Sequence, residues 1–142
     1  MKTVLIAEDS EDDVFTMKMA CQRTGVPHRL QIVTDGEMAV DYLSGKGAFV
    51  NRMIHPLPDI LFLDVKIPKR SGHEVLTWIR SQPNLKDLPV VMLTGSALKA
   101  DVEQAYKLGA TSYLQKVADL EEFEQTVRLA LEYWLKLNIA VA

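Results

Sequence analysis

The sequence predicts an α/β domain in which five parallel strands form one doubly wound sheet with five helices. Short apolar runs of about five residues, rich in Val, Ile and Leu, recur along the chain, as buried parallel strands do. Each run is followed by a segment with apolar residues at helical spacing. Strands that alternate with helices favour a parallel sheet, and right-handed crossovers leave few topologies. The flavodoxin-like strand order 2-1-3-4-5 is the natural one for a domain of this size.

The first half of the chain contains two strand–helix units. In the first helix, Met17 and Cys21 lie on one apolar side, and Gly25 is a typical C-terminal stop. The second helix begins at Asp35-Gly36 and carries Ala39 and Leu43 on its apolar side. The predicted strands are residues 3–7 and 30–34, and the first helix covers residues from about 12 to about 24.

The second half of the chain contains the other three units. The third helix begins near Ser71-Gly72, the fourth is closed by Gly109, and the fifth has Asp119 as a possible N-cap. The predicted strands are residues 60–63, 89–93 and 111–114, and the last two helices cover about 100–108 and about 120–138.

Composition excludes several classes of function. The 142 residues fit one domain, and the 16 basic and 19 acidic residues give a net charge of −3 without a basic run. A chain of this charge is a poor candidate for binding nucleic acid. The apolar run before Glu8 is too short for a signal peptide or a membrane span. We therefore expect a cytoplasmic protein with no nucleic-acid or membrane partner, and a single domain over residues 1–142.

Polar residues that can carry chemistry follow four of the predicted strands. They are Glu8 and Asp9 after the first, Asp64 at the third, Thr94 at the fourth and Lys116 at the fifth. Ligands of open α/β sheets lie outside the carboxyl ends of the strands, so we expect these side chains to converge. Two carboxylates about 4 Å apart repel each other by roughly 4 kcal/mol at an effective dielectric constant near 20.

Three carboxylates placed together need a cation or a proton. Carboxylates are hard oxygen ligands, which suit Mg²⁺ or Mn²⁺ better than Zn²⁺. A divalent ion, one lysine and one threonine hydroxyl are also the usual set for holding a phosphoryl group. Asp64 can then act as a nucleophile that forms an acyl phosphate.

Four motifs resemble the receiver domain of two-component response regulators. They are Val4-Leu5-Ile6-Ala7-Glu8-Asp9-Ser10, Leu63-Asp64-Val65-Lys66-Ile67-Pro68 with Gly72, Val91-Met92-Leu93-Thr94-Gly95-Ser96, and Gly109-Ala110 followed by Tyr113 and Lys116. The resemblance covers residues from about 3 to about 134. Within the family, the chain looks most like stand-alone regulators that are paired with phytochrome-type sensor kinases.

The resemblance implies a role for each site residue. Asp64 would accept a phosphoryl group from a sensor histidine kinase. Asp9, Asp64 and the Lys66 backbone carbonyl would ligate Mg²⁺, for which Mn²⁺ can substitute, and Glu8 would act through water. Thr94 would bind a phosphoryl oxygen, Lys116 would pair with the carboxylate and the phosphoryl group, and Tyr113 would be the switch aromatic.

Two positions depart from the family pattern. The family usually has proline after the strand-5 lysine, often with a cis peptide bond, and here the pair is Lys116-Val117. Because a cis bond before a non-proline residue costs about 3–4 kcal/mol, we expect this bond to be trans or the loop to be strained. Lys66 stands where Met or Asn is commoner, and we expect it to alter the lifetime of the phosphorylated state.

The fifth helix predicts a core stripe and a second apolar flank. At helical spacing, the stripe that should face the sheet consists of Leu120, Phe123, Val127, Ala130, Leu131 and Trp134. Away from it lie Leu129 and Tyr133, with Leu137 between the two sides and an apolar tail at residues 139–142. A patch of this kind predicts a homodimer that uses the helix and the tail.

Two other functions fit part of the pattern. A haloacid-dehalogenase-like phosphatase also combines a nucleophilic Asp with Thr, Lys and an acidic Mg²⁺ site. In that class the nucleophile comes first in a D-x-D motif, whereas here Asp64-Val65-Lys66 has no second Asp and the acidic pair comes first. A receiver-like protein-binding module that is not regulated by phosphorylation is the other alternative. We expect no enzymatic activity beyond self-phosphorylation and slow autodephosphorylation. We also expect no output domain, so the signal must pass by protein contact or phosphoryl relay.

Overall fold

The computed structural model describes residues 1–140 of the chain. The strands are β1 (Lys2–Ala7), β2 (His28–Val33), β3 (Ile60–Asp64), β4 (Val90–Thr94) and β5 (Ser112–Gln115). The α-helices are α1 (Glu11–Arg23), α2 (Gly36–Ser44), α3 (Gly72–Ser81), α4 (Lys99–Lys107) and α5 (Leu120–Glu132). A short 3₁₀ turn covers Gly47–Phe49, and a π-helical turn, Tyr133–Leu137, extends α5.

All five strands are parallel and lie in the order β2-β1-β3-β4-β5. The predicted fold class and strand order are therefore confirmed. In the central strands, Ala7 of β1 pairs with Leu63 of β3, and Asp64 of β3 pairs with Leu93 of β4. The carboxyl ends of β1, β3 and β4 consequently meet at one edge of the sheet.

The sheet separates two hydrophobic cores. On one face, Leu5 and Leu63 pack with the apolar sides of α2 and α3 and with Ala105 of α4. On the other face, Val4 and Phe62 pack with the apolar sides of α1 and α5. Successive strand residues point to opposite faces, which explains why every strand at the centre reads as a continuous apolar run.

Four of the five α-helices begin at a side-chain cap. Ser10, Asp35, Ser71 and Asp119 each accept a hydrogen bond from the backbone N–H three residues later. Such caps satisfy N–H groups that the first helical turn leaves free. They fix where each helix starts relative to the preceding strand, and so where the loops at the site lie.

The predicted core stripe of α5 is wrong at one position. Leu120, the first residue of the helix, is 63% exposed. Leu135 is buried and joins the core, although the helical spacing did not assign it. The π-helical turn adds residues to one turn and shifts the periodicity there, so Trp134 is only half-buried against the core.

The second apolar flank is exposed as predicted. Leu129, Tyr133, Leu137 and Ile139 are all exposed large hydrophobic side chains. Of the predicted apolar tail, Val141 and Ala142 lie outside the described residues. No helix within residues 1–140 has the length and hydropathy that crossing a membrane requires.

Candidate functional site

An acidic cluster lies at the carboxyl ends of the central strands. Glu8 follows β1 directly, and Asp64 is the last residue of β3. Glu8, Asp9 and Asp64 each offer a carboxylate oxygen within 4.8 Å of the others. The structure therefore brings together the three predicted carboxylates. This is an arrangement of hard oxygen donors that fits a divalent cation such as Mg²⁺.

Glu8 is the most deeply buried acid of the cluster, with no exposed surface. One of its oxygens accepts hydrogen bonds from the backbone N–H groups of Asp9 at 3.0 Å and Ser10 at 3.2 Å. The other accepts a short hydrogen bond from the Lys116 ammonium. Burial raises the pKa of the Glu8 carboxyl from 4.5 to about 7, although the bond to Lys116 pulls it down.

Lys116 lies among three carboxylates. Besides Glu8, its Nζ is 2.8 Å from Asp13 Oδ2 and 3.2 Å from Asp64 Oδ2. Burial alone would lower the pKa of the Lys116 ammonium, but Asp13, Glu8 and Asp64 outweigh burial and raise it. Lys116 therefore stays charged and offsets one of the negative charges of the cluster.

Sequence reasoning missed the contribution of Asp13. The residue is noticeable in the sequence only as part of the acidic run Glu11-Asp12-Asp13, which fits a helix N-terminus equally well. Its N–H is capped by the Ser10 side chain, so it occupies the third position of α1. The Ser10 cap, read together with Glu8 two residues earlier, is the signal that could have placed this turn of α1 against the strand end.

Asp64 lies at the carboxyl end of the central strand β3, and its side chain is 8% exposed. Its Oδ1 accepts a weak hydrogen bond from the Lys66 N–H at 3.4 Å. Gly72, the first residue of α3, packs directly behind it, and a Cβ there would lie 2.4 Å from the Asp64 carbonyl oxygen. The Lys66 side chain is exposed. The metal-ligand role of the Lys66 carbonyl and the effect of its side chain stay predictions.

Thr94 and Tyr113 both contact the loop after β4. The Thr94 hydroxyl accepts a hydrogen bond from the Ser96 N–H at 3.2 Å. The Tyr113 hydroxyl donates to the Ser96 carbonyl at 2.7 Å, while its ring packs half-buried against the core. Ser96 thus links the two residues.

The Lys116-Val117 peptide bond is trans, since no bond within residues 1–140 is cis. Lys116 is held in place by its backbone as well as by its side chain. Its N–H donates to the Thr94 carbonyl at 2.7 Å. The loop after β5 therefore delivers the ammonium to the cluster without the proline that is usual in the resembling family.

Comparison with known proteins decides the family. The model of the response regulator receiver domain matches residues 4–128. The chain belongs to the response regulator receiver family. Response regulator Rcp1 of Synechocystis sp. is 34% identical to this receiver over 135 residues, which cover 95% of this chain and 90% of Rcp1. The probable methanogenesis regulatory protein FilR2 of Methanothrix harundinacea is 36% identical over 138 residues, covering 95% of this chain and 84% of FilR2.

Solved structures agree with this receiver along its whole length. The phosphorylated cyanobacterial phytochrome response regulator RcpA superposes with a TM-score of 0.92 at 34% identity, covering 99% of both chains. The Mn²⁺-bound form of Rcp1 superposes with a TM-score of 0.91 at 32% identity, covering 100% of both chains. The receiver fold predicted from the sequence motifs is confirmed.

Proposed function

We propose that this receiver is a stand-alone response regulator that accepts a phosphoryl group on Asp64 in a Mg²⁺-dependent reaction. The observation that carries the proposal is the position of Asp64. Its carboxylate lies 3.2 Å from the Lys116 ammonium and shares a cluster with Glu8 and Asp9. Such a carboxylate can act as a nucleophile, and the adjacent ammonium can stabilise the negative charge of a phosphoryl group.

The transfer forms one bond and breaks another. An oxygen of Asp64 attacks phosphorus of a phosphohistidine on a sensor kinase, and the phosphorus–nitrogen bond breaks with its electron pair going to the imidazole. The product is an acyl phosphate on Asp64. Lys116 stabilises the added negative charge, and the Thr94 hydroxyl, which lies at the end of the neighbouring strand, binds a phosphoryl oxygen.

Mg²⁺ fits the residues present. Glu8, Asp13 and Asp64 surround the Lys116 ammonium, and Asp9 shares the acidic cluster with Glu8 and Asp64, so the site carries more negative than positive charge. Asp9, Asp64 and the Lys66 carbonyl would hold the ion, with Glu8 acting through water, and Mn²⁺ would substitute. When bound, the ion supplies positive charge for the oxygens of the transferred group. The existence of a Mn²⁺-bound form of Rcp1 supports this assignment.

The phosphorylated site would signal through its surroundings. A phosphoryl group adds about two negative charges and several acceptor oxygens. We propose that Thr94 is drawn towards these oxygens and that Tyr113 follows through the loop at Ser96, to which both residues are hydrogen-bonded. The surface formed by α4, β5 and α5 would change as a result.

The input and output of the receiver would both be protein contacts. We propose a sensor histidine kinase of the phytochrome type as the input, which the likeness to the phytochrome response regulator RcpA supports. The receiver would act in the cytoplasm by protein contact. A homodimer through Leu129, Tyr133, Leu137 and the tail at 139–142 would be part of this output, supported by the exposure of the described members of that patch. Turnover would be limited to slow autodephosphorylation of Asp64.

Acetyl phosphate with Mg²⁺ tests the acceptor directly. Intact-mass measurement of the wild-type chain should show the addition of one phosphoryl group, whereas Asp64→Asn should show none. Asp41→Asn is the matched control, because Asp41 is an exposed carboxylate on α2 away from the cluster. A labelled Asp64→Asn chain would place the acceptor elsewhere. A folded wild-type chain that takes no label from acetyl phosphate or from a phosphorylated kinase would favour the unregulated binding module.

A further inference from the structure

Asp13 makes the shorter of the two contacts that Lys116 forms with Asp13 and Asp64. The Lys116 Nζ lies 2.8 Å from Asp13 Oδ2, against 3.2 Å from Asp64 Oδ2. Asp13 belongs to α1, whereas Asp64 ends β3 and Lys116 follows β5. The ammonium is thus held towards the first turn of α1 at least as closely as it is held towards the proposed acceptor.

A lysine ammonium has three N–H donors. In this structure three carboxylates surround it, from Glu8, Asp13 and Asp64. Of these three, only Glu8 and Asp13 accept hydrogen bonds from the ammonium, and Asp64 contacts it as an ion pair at 3.2 Å. A phosphoryl oxygen on Asp64 therefore has to draw Lys116 away from the two carboxylates to which it already donates hydrogen bonds.

Asp13 is the partner that is released at the lowest cost. Its side chain is 27% exposed, against 0% for Glu8 and 8% for Asp64, so water can solvate its carboxylate when Lys116 leaves. Glu8 is also fixed by two backbone N–H donors and has no exposed surface, so loss of Lys116 would leave its carboxyl group without a cation and without water.

We infer that Asp13 is a positioning residue that holds Lys116 towards α1 and competes for it with a phosphoryl group on Asp64. The inference rests on the proposed acceptor function of Asp64. Asp13 itself touches no phosphoryl oxygen in this scheme. It acts by competing for Lys116, so it favours the resting state over the phosphorylated state.

The test measures binding of beryllofluoride, a tetrahedral substitute for a phosphoryl group on a carboxylate, at fixed Mg²⁺ concentration. Asp13→Ala should bind it about threefold to tenfold more tightly than wild type, the range expected when one competing hydrogen bond is removed. Asp12→Ala is the matched control, because Asp12 is the adjacent exposed carboxylate in the same turn of α1. It removes the same charge and should change the affinity by less than about twofold.

A second background separates positioning from a general effect of charge or folding. In Lys116→Met, the affinity should fall, and Asp13→Ala and Asp12→Ala should then have equal effects. A difference that persists without Lys116 would overturn the inference. Asp13→Asn, which keeps the size of the side chain and removes its charge, replaces Asp13→Ala if the alanine variant does not fold.

Failure of the inference differs from failure of the proposed function. A wild-type chain that is labelled by acetyl phosphate, but whose Asp13→Ala variant binds beryllofluoride no more tightly than Asp12→Ala, refutes the role of Asp13 alone. Weaker binding by Asp13→Ala refutes it too. A wild-type chain that neither takes the label nor binds beryllofluoride refutes the acceptor function, and this inference with it.

Discussion

At the scale of single residues, we expect Glu8 to couple metal binding to pH. Burial raises the pKa of its carboxyl to about 7, so the group is partly protonated at neutral pH in the absence of a metal. A divalent ion favours the ionised carboxylate and displaces that proton. Metal affinity should therefore rise with pH through the pKa of Glu8 and level off above it.

A titration with Mg²⁺ at pH 6, 7 and 8 measures this coupling. For one proton displaced around pH 7, the affinity should increase about tenfold between pH 6 and pH 8. Glu8→Gln cannot titrate, so its affinity should change much less over the same range. A wild-type affinity that does not vary with pH would show that Glu8 is ionised throughout and that the metal displaces no proton from it.

We expect Tyr113 to affect the output of the receiver and not the phosphorylation of Asp64. Its hydroxyl bond to the Ser96 carbonyl joins β5 to the loop after Thr94. Tyr113→Ala should leave the extent of Asp64 labelling by acetyl phosphate unchanged and weaken the effect of labelling on partner binding or self-association. Tyr113→Phe keeps the ring and removes only the hydroxyl, so it should show the smaller defect. Loss of labelling in either variant would contradict a role confined to the switch.

The sequence predicted which residues form the candidate site better than it predicted the contacts between them. The five residues Glu8, Asp9, Asp64, Thr94 and Lys116 were predictable because parallel strands bring their carboxyl ends to one edge of the sheet. Asp13 was not, because a carboxylate in the first turn of a helix is adequately explained by the helix dipole. Its contact with Lys116 depends on the angle at which α1 leaves β1, which the spacing of residues does not specify.

At the scale of elements, the junction of β3 and α3 determines where the acceptor lies. Gly72 begins α3, and its N–H donates to the Val65 carbonyl at 2.8 Å. A Cβ at this position would lie 2.4 Å from the Asp64 carbonyl oxygen and 2.8 Å from Val65 Cα. Both contacts are with backbone, so α3 or the end of β3 would have to move.

Gly72→Ala should therefore lower the free energy of unfolding by about 1–3 kcal/mol, the usual cost of overpacking, and should also slow labelling of Asp64. Urea denaturation measures the first effect. Gly95→Ala is the matched control, because Gly95 adjoins Thr94 in the same site and a Cβ there meets no atom within 4 Å. If the two alanine variants were equally stable, the close packing of Gly72 against β3 would not be a constraint.

Element boundaries were predictable to within about two residues where capping residues mark them. Ser71 and Asp119 cap α3 and α5 at the positions that their types indicated. The end of α5 was less predictable. Helical spacing assumes 3.6 residues per turn, whereas the Tyr133–Leu137 turn is π-helical and buries Leu135. Leu120 was assigned to the core because of its spacing, but its place at the start of the helix leaves it in solvent.

At the scale of the whole molecule, residues near the site pack on both faces of the sheet. Asp13 in α1 and Lys116 before α5 connect the acidic cluster to the face that α1 and α5 cover. Tyr113 packs on the opposite face with α4. Phosphorylation of Asp64 would therefore affect both faces of the sheet. Tyr113 and Lys116 both lie shortly before α5 in the chain.

The exposed side of α5 is the surface through which we expect the molecule to self-associate. Leu129, Tyr133 and Leu137 are exposed along α5 and its π-helical extension, and Ile139 is exposed just after that extension. Exposed apolar side chains on one segment of this kind mark association sites, and a two-fold dimer would bury the same surface on both copies. A charge placed in the patch would then be buried twice in each dimer.

Sedimentation velocity at increasing protein concentration, with and without beryllofluoride, measures this association. The wild-type chain should be a dimer, and Leu137→Glu should be a monomer over the same concentration range, because two unpaired carboxylates would be buried in each interface. Leu120→Glu adds the same charge to the same helix at an exposed position outside the patch, and it should remain a dimer. A wild-type chain that stays monomeric at high concentration in both states would refute the dimer. Equal dissociation of the two variants would show that net charge, and not burial of this patch, controls association.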